Sequence, residues 1–386
     1  MSESIGATIG WSQHPDAVQA GKEAAEAALN RLSSLRPALA IVFGSSWFNQ
    51  VQLLQGVRSM LGTLPIAGES TAGEIVPRGP ASRSCVVLLL ACDALTCSLG
   101  LGKDLDSAPR EAGQRAAFSA MREFHGISRA GFLVFGDGLS TNYAEVVRGI
   151  RESLGTSFLI VGGLAGDDGR YLQTYQYCHQ RVVSRSIVGV LLGGPIKLGV
   201  GLEHGFAPIS KPRRVTRAHA NVLDELDDRP AAAVYEEYFG SDLVQRMRHE
   251  GARQAMAYPL GLQDETHEGW LLRNVLSFGD DGSLTCSGEL LEGAWLQVMI
   301  GQKELALEAA RKAARDAVQS LSHVGCVLIF DSAIRRKLLG AEQAAAEISE
   351  IRKIIGVSTP LAGCYTYGEQ TTQSHIGSVL LVAIGM

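Results

Sequence analysis

The chain has 386 residues, 46% of them apolar and 19% charged, with a formal net charge of −5, which excludes a disordered chain and gives no basic footprint for nucleic acid. Its longest apolar runs, Val86 to Ala91 and Val379 to Ile384, suit buried strands and are too short to span a membrane. Seven cysteines, odd in number and without CxxC spacing, fit free buried thiols in a reducing cytoplasm, and the N-terminus reads as lacking an export signal.

In chain order, Pro15 to Leu35 carries apolar residues at helical spacing and reads as a helix. A buried strand follows over Leu39 to Phe43, then the turn Gly44-Ser45-Ser46 and a helical segment to about Gly62. Residues 65–74 read PIAGESTAGE, a strand that ends on a glycine turn. Two apolar runs, Ser84 to Ala91 and Leu95 to Gly102, read as a hairpin about Cys92-Asp93-Ala94. After a helix over 108–124, strand Phe132 to Phe135, turn Gly136-Asp137, a helix, strand Phe158 to Val161 and the turn GGLAGDD (162–168) repeat the first arrangement. A second hairpin is expected from Ser186 to Leu192 and Ile196 to Leu202.

Composition changes near 210–225, where Asp224, Glu225, Asp227 and Asp228 form an acidic cluster, and Pro230 opens a helix to Phe239. Strands Arg273 to Phe278 and Leu284 to Glu289 flank Gly279-Asp280-Asp281-Gly282, a hairpin signal, and Trp295 to Ile300 is a further strand. An alanine-rich helix over 303–320 leads to strand Val327 to Phe330, turn Asp331-Ser332, a helix to about Ile355, the string PLAGCYTYGE (360–369) and a last strand over 377–384.

The two decapeptides share six of ten residues at an offset of 295 positions, far beyond chance. The middle turn keeps Leu-Ala-Gly and loses the Thr and Glu, so one strand, turn, helix, strand, glycine-turn unit is used three times. This predicts an α/β protein of two domains, 1–215 with an internal duplication and 216–386, in which mixed sheets carry antiparallel hairpins.

Candidate ligand contacts concentrate at the repeated turns, since strand-end turns are where ligands tend to sit. Ser70, Thr71 and Glu74 in the first copy match Tyr365, Thr366 and Glu369 in the second, which adds Cys364 and Tyr367. Each glutamate either faces a cleft and accepts hydrogen bonds from a ligand, or caps a backbone amide and holds its turn. Tyr365 and Tyr367, two apart on an extended segment, share a face and line a pocket or pack half-buried. Ser332, Arg335 and Arg336 follow strand-end Asp331, and Arg273-Asn274 opens another strand; a guanidinium there suits a ligand carboxylate, or a salt bridge to Asp331 or Glu369. The Gly162-Gly163-Leu164-Ala165-Gly166 run is opposed as a nucleotide loop by Asp167 and Asp168. Cys364 and His375 form a thiol and imidazole dyad only if their strands pair.

The strings GESTAGEI, GGLAGDD, His204-Gly205 before Val215-Thr216, RNVLS (273–277) and PLAGCYTYGE together resemble the FIST family, N-terminal then C-terminal domain, over about Ala38 to Ile384. The resemblance implies an intracellular sensory module that binds a small polar ligand, an amino acid among the candidates, and signals to a protein partner, while the charge balance and the short apolar runs argue against nucleic acid and membrane insertion. Some members resemble nitric-oxide-sensing haemoproteins, which makes a haem-binding gas sensor with His204 as axial ligand the alternative. Members often carry Cys where Glu69 stands, and a further Cys in the turn that reads Asp331 to Arg335. Their replacement here lowers the haem and thiol readings, so no cofactor is expected. A hydrolase or transferase using Glu369 or Cys364 is the remaining alternative, and no nucleophile and base constellation emerges for it.

Overall fold

Alternation of wholly apolar strands with alanine-rich amphipathic helices produces the architecture of a computed structural model that describes residues 5–32, 36–140, 142–249, 255–263 and 269–386. Leu35, where the first helix was expected to end, and His267 lie outside the described residues. The first unit runs β1 (Gly6–Ser12), α1 (Ala17–Leu29), β2 (Pro37–Ser45), α2 (Gln50–Leu61), β3 (Ile66–Thr71), the hairpin β4 (Glu74–Val76) and β5 (Gly79–Ala81), and β6 (Cys85–Ala91). The second repeats it as β7 (Thr96–Gly102), α3 (Pro109–Glu123), β8 (Arg129–Gly136), α4 (Tyr143–Leu154), β9 (Ile160–Leu164), β10 (Gln176–Cys178), β11 (Arg181–Val183) and β12 (Ile187–Gly193). The third runs β13 (Lys197–His204), α5 (Lys303–Val318), β14 (Val324–Ser332), α6 (Ala333–Ile355), β15 (Leu361–Thr366), β16 (Gly368–Gln370), β17 (Ser374–His375) and β18 (Ser378–Gly385).

Each unit builds most of one six-stranded sheet and lends its short hairpin to another. The orders are β1-β6-β2-β3-β10-β11, β7-β12-β8-β9-β16-β17 and β13-β18-β14-β15-β4-β5. Unit one thus completes the sheet of unit three, unit two that of unit one, and unit three that of unit two, a closed threefold exchange. In every sheet the second and third strands of the unit pair in parallel and their neighbours antiparallel. Phe43, Phe135 and Phe330, at the same place in β2, β8 and β14, meet at the centre with ring centroids 6.0–6.4 Å apart. Edge-to-face rings at that spacing hold the three sheets on one shared core.

Helices cover the outer faces. Asp16 caps α1 by accepting from Gln19 N–H at 2.9 Å, and Asn49 caps α2 at Gln52 N–H. The buried faces of α1, α3 and α5 are almost wholly alanine and glycine, so each helix lies close against its strand.

A nine-stranded antiparallel sheet with two helices, Ala232–Phe239 and Ser241–His249, is inserted between β13 and α5 of unit three and has its own core around Leu223, Tyr235, Leu284 and Val298. The boundary expected at 215/216 falls inside its strand Arg213–His219, and the third sheet holds strands from both sides of that point.

Two local expectations are corrected. Strands β6 and β7 do not form a hairpin, nor do β12 and β13; each pair separates into different sheets, because the connecting turn is the corner between successive units. Gly6–Ser12 is an additional strand, pairing with β6 along its whole length.

Candidate functional site

In the repeated polar turns the side chains close on one another. Thr71 Oγ1 donates to Glu74 Oε1, while Glu74 Oε2 accepts from Ser84 N–H at 3.1 Å and Ser84 Oγ at 2.6 Å. Thr366 Oγ1 donates to Glu369 Oε1 at 2.7 Å, and Ser378 N–H donates to Glu369 Oε2 at 3.1 Å. In both copies the glutamate ties the strand-end threonine to the serine that opens the last strand of the unit. Both carboxyls are fully buried, and neither lines the cleft described below. Burial pushes Glu74 up to about 7 and Glu369 up to about 8, against the opposing pull of their hydroxyl and amide donors.

A raised pKa means the folded state holds its proton while the unfolded carboxyl has already lost it. The stabilising contribution is therefore complete below about pH 4.5 and disappears as pH climbs through about 7 and then 8. Glu74→Gln combined with Glu369→Gln is expected to flatten the fall in urea midpoint across that window. A double variant that declines as steeply as the parent contradicts the assignment of neutral carboxyls.

Other expected contacts are similarly enclosed. Ser70 Oγ donates to the Gly166 carbonyl at 2.8 Å and accepts from Tyr175 N–H at 2.9 Å, binding unit one to unit two. Arg335 is fully buried and donates to Asp331 Oδ1 at 2.8 Å, to the Ala306 carbonyl at 3.0 Å and to Glu347. It is committed to internal acids rather than to a ligand carboxylate. Cys364 Sγ lies 3.6 Å from Glu69 Oε1; burial first, and the Glu69 carboxyl second, hold the thiol far above its usual range. Strand β15 does not pair with β17, and His375 Nε2 instead meets Thr371 Oγ1 at 2.9 Å, so the condition for a Cys364–His375 dyad is unmet. His204 Nδ1 accepts from Phe206 N–H at 3.2 Å, and its ring also makes a backbone hydrogen bond to Trp270. Burial pushes His204 down to about 4, and its nitrogens are engaged by the protein where an axial ligand needs one free. Among the described residues no group of three or more His, Cys, Asp or Glu is placed to hold a metal ion. Arg273 faces another cavity and donates to the Glu289 and Leu272 carbonyls, both at 3.1 Å.

Open space lies at the carboxyl ends of β9 and β15. A cavity of about 180 Å³ there is lined by Asn274, Ser332, Thr366 and Tyr367 from the expected set, together with Tyr143, Leu164, Leu276 and Ile376. It adjoins a cleft of about 1070 Å³ whose walls share Tyr171, Met256, Ala333, Ile334 and Tyr367. The hairpin of unit one supplies Arg78 and Pro80, the loop after β9 supplies Asp168 and Tyr171, the inserted sheet supplies Phe206 and Ile300, and α6 supplies Ile334, Arg336, Lys337 and Leu338 before its break and Ala341, Ala344 and Ala345 after it. Tyr365 lies behind this wall, under the Arg336 guanidinium at 4.7 Å.

The polar side of the cleft is tied together by its own contacts. Tyr171 and Tyr367 stack at 4.8 Å with planes 12° apart. Tyr367 Oη accepts from Gly169 N–H at 2.9 Å and donates to Asp167, whose carboxylate also accepts the N–H groups of Tyr171, Leu172 and Gln173. Asp168 and Tyr171 hold left-handed backbone, φ 57° and 55°, a conformation that costs such residues energy and concentrates at binding sites. Sequence reasoning missed Tyr171, Ile334, Lys337 and Met256. The Asp168-Gly169 pair at the end of the second glycine turn, a dipeptide that favours left-handed backbone, was the available signal.

Comparison with known proteins adds a family. The chain is 26% identical over 378 residues to an uncharacterised protein of Mycobacterium tuberculosis, covering 94% of this chain and 93% of that one. An uncharacterised protein of Methanocaldococcus jannaschii is 29% identical over 149 residues, 36% of this chain and only 29% of that protein's length. Among solved structures, a cyanuric acid hydrolase aligns over 99% of both chains at 10% identity with a TM-score of 0.37, and the cyanuric acid hydrolase of A. caulinodans does so at 10% identity and 0.35. The FIST N domain model matches residues 38–229 and the FIST C domain model residues 231–372, and the chain therefore belongs to the FIST family.

Proposed function

We propose that this protein is a small-ligand sensory module whose ligand enters the cleft between α6, the loop after β9 and the inserted sheet. One observation carries the reading: both large departures from threefold equivalence occur in unit three and meet at this cleft. Units one and two connect their second strand to a 12-residue helix by a loop. Unit three replaces that loop with a helical segment, Ala333 to Leu339, which breaks at Gly340 (φ 72°, ψ 176°) before the main helix resumes. The same unit carries the inserted sheet. Binding sites on a repeated scaffold arise where the repeat is broken, since the symmetric parts are already satisfied by one another.

The ligand class is a small organic acid, an amino acid among the candidates, with its carboxylate toward Arg336 and Lys337 and its body against Tyr171, Tyr367 and Ile334. Occupancy would pass to a signalling partner through the broken helix, whose two segments both line the cleft. We infer action in the cytoplasm, supported by seven free cysteines, six of them buried. Among the described residues no helix is long and apolar enough to cross a membrane.

A thermal-shift screen of amino acids and small carboxylates tests this. A ligand at one hundred times its Kd adds roughly 2.7 kcal/mol of stability and raises the melting temperature by several degrees. Ile334→Asp is expected to abolish that shift. No shift with any compound, or a shift that Ile334→Asp leaves intact, contradicts the site.

A further inference from the structure

Among the described residues, three cations face the cleft and no carboxylate pairs with any of them. The Arg78 guanidinium rests on the Trp11 ring at 5.0 Å, Arg336 donates to the Ala72 carbonyl at 2.8 Å and to Ser82 Oγ at 2.9 Å, and Lys337 is exposed at the rim. Among the described residues none of the three is in an ion pair. Among the described residues one acid, Asp168, lines the same cleft, and its Oδ2 already accepts from Ser45 Oγ at 3.0 Å and Ser46 Oγ at 2.7 Å. In a chain of net charge −5, a local excess of unneutralised cations at a cleft is a field shaped for an anion.

Apolar and aromatic side chains, Phe206, Met256, Ile300, Ile334, Leu338 and Tyr171, line the rest of the cleft. Its volume of about 1070 Å³ is several times what a bare acid head group fills. We propose, resting on the cleft reading above, that the ligand is an amphipathic organic anion: a carboxylate held by Lys337, Arg336 and Arg78, joined to an extended apolar or aromatic body that lies on Ile334, Met256 and Phe206. A free ammonium group is not required, because the opposing carboxylate is occupied by serine hydroxyls. Arg336 acts chiefly by position, being already tethered to unit one, whereas Lys337 has no such tether and closes on the head group.

The test is calorimetric titration of the full chain with hexanoate, octanoate, octylammonium and 1-octanol, below their aggregation concentrations, on the parent, Lys337→Glu and Ile334→Asp. Octanoate is expected to bind at least tenfold tighter than octylammonium, and roughly tenfold tighter than hexanoate for its two further methylenes. Lys337→Glu, at an exposed position that leaves the fold unchanged, should weaken octanoate at least tenfold and bring octylammonium level with it. Equal binding of octanoate and octylammonium to the parent, or octanoate affinity untouched by Lys337→Glu, overturns the anionic head. Equal affinity for hexanoate and octanoate overturns the extended body. If octylammonium or octanol binds the parent as tightly as octanoate and Ile334→Asp removes that binding, the anion class falls while the cleft stands. If no octyl compound binds, or Ile334→Asp changes nothing, the cleft falls and takes this proposal with it.

Discussion

Arg335→Leu is expected to lower folding stability by about 3–5 kcal/mol near pH 8, the usual consequence of removing one partner from a buried ion cluster. The magnitude follows from enclosure. Arg335, Asp331 and Glu347 are all fully buried, and the guanidinium is the cation that both acids share. Without it, two carboxylates face each other with no water to screen them. Burial already holds the Asp331 carboxyl well above its ordinary range, with Glu347 adding and Arg335 opposing. Removing the opposing charge raises it further, so the lost stability should shrink as the pH falls and Asp331 takes up a proton. The cluster also spans the helix break: Arg335 stands before Gly340 and Glu347 after it, so the loss includes the tie between the two segments. Equilibrium urea unfolding measures it, and the combined variant Asp331→Asn, Arg335→Leu, Glu347→Gln should recover much of the loss. A change below about 1 kcal/mol for Arg335→Leu alone contradicts a shared buried cation.

Gly162→Ala should remove about 2–5 kcal/mol, adding a steric overlap to an unfavourable backbone conformation. Gly68, Gly162 and Gly363 occupy one position in the three units, each on the strand parallel to its unit's second strand. A Cβ at any of them would stand 1.9 Å from a carbonyl oxygen of that neighbour, at Val42, Val134 and Ile329. At Gly162 the oxygen belongs to backbone that cannot retreat without breaking the sheet, and φ is 156°. Gly155→Ala is the control, with φ 109° and open space around the site, so backbone strain acts there alone. Its expected loss is about 1 kcal/mol. Melting temperatures of the two variants separate the terms, and equal losses would show that the close strand approach contributes nothing.

These glycines explain what the sequence made visible. Sterics leave glycine at one position in all three units, but in the middle unit it is Gly162 after Val161, so the Leu164-Ala165-Gly166 match lies four residues out of structural register, and the repeat rests on the alternation of strand, turn, helix and strand. The threefold use of the unit was readable from it, as was the α/β class. The exchange of hairpins was not, since Glu74–Val76 and Gly368–Gln370 are short, wholly buried strands whose pattern does not say which unit they join. Nor could Cys92-Asp93-Ala94 be distinguished from a hairpin turn, because a corner between sheets reverses the chain with the same residues.

The site divides along similar lines. Polar residues in a patterned turn look the same whether they bind a guest or one another, and Thr71 with Glu74 and Thr366 with Glu369 do the second. Of the residues singled out, Asn274, Ser332, Thr366, Tyr367 and Arg336 reach the cleft or the cavity beside it, and Arg273 lines a different one. The rest of the cleft comes from Ile334, Leu338 and Ala341 on α6 and from Phe206 and Met256 on the inserted sheet and its connections, apolar residues that read in sequence as core. Their surfaces face one another only because the insertion folds back over the broken helix, a long-range placement that periodicity does not encode.

Methyl-labelled protein titrated with the strongest carboxylate from the screen tests the location of the site most directly. Shifts are expected to concentrate on Ile334, Leu338, Ile300 and Met256 and to saturate together. Shifts centred on Leu99 and Leu101 beside Arg181, or on Leu262 and Leu291 beside Arg148, would place the ligand in a different cavity and contradict this location.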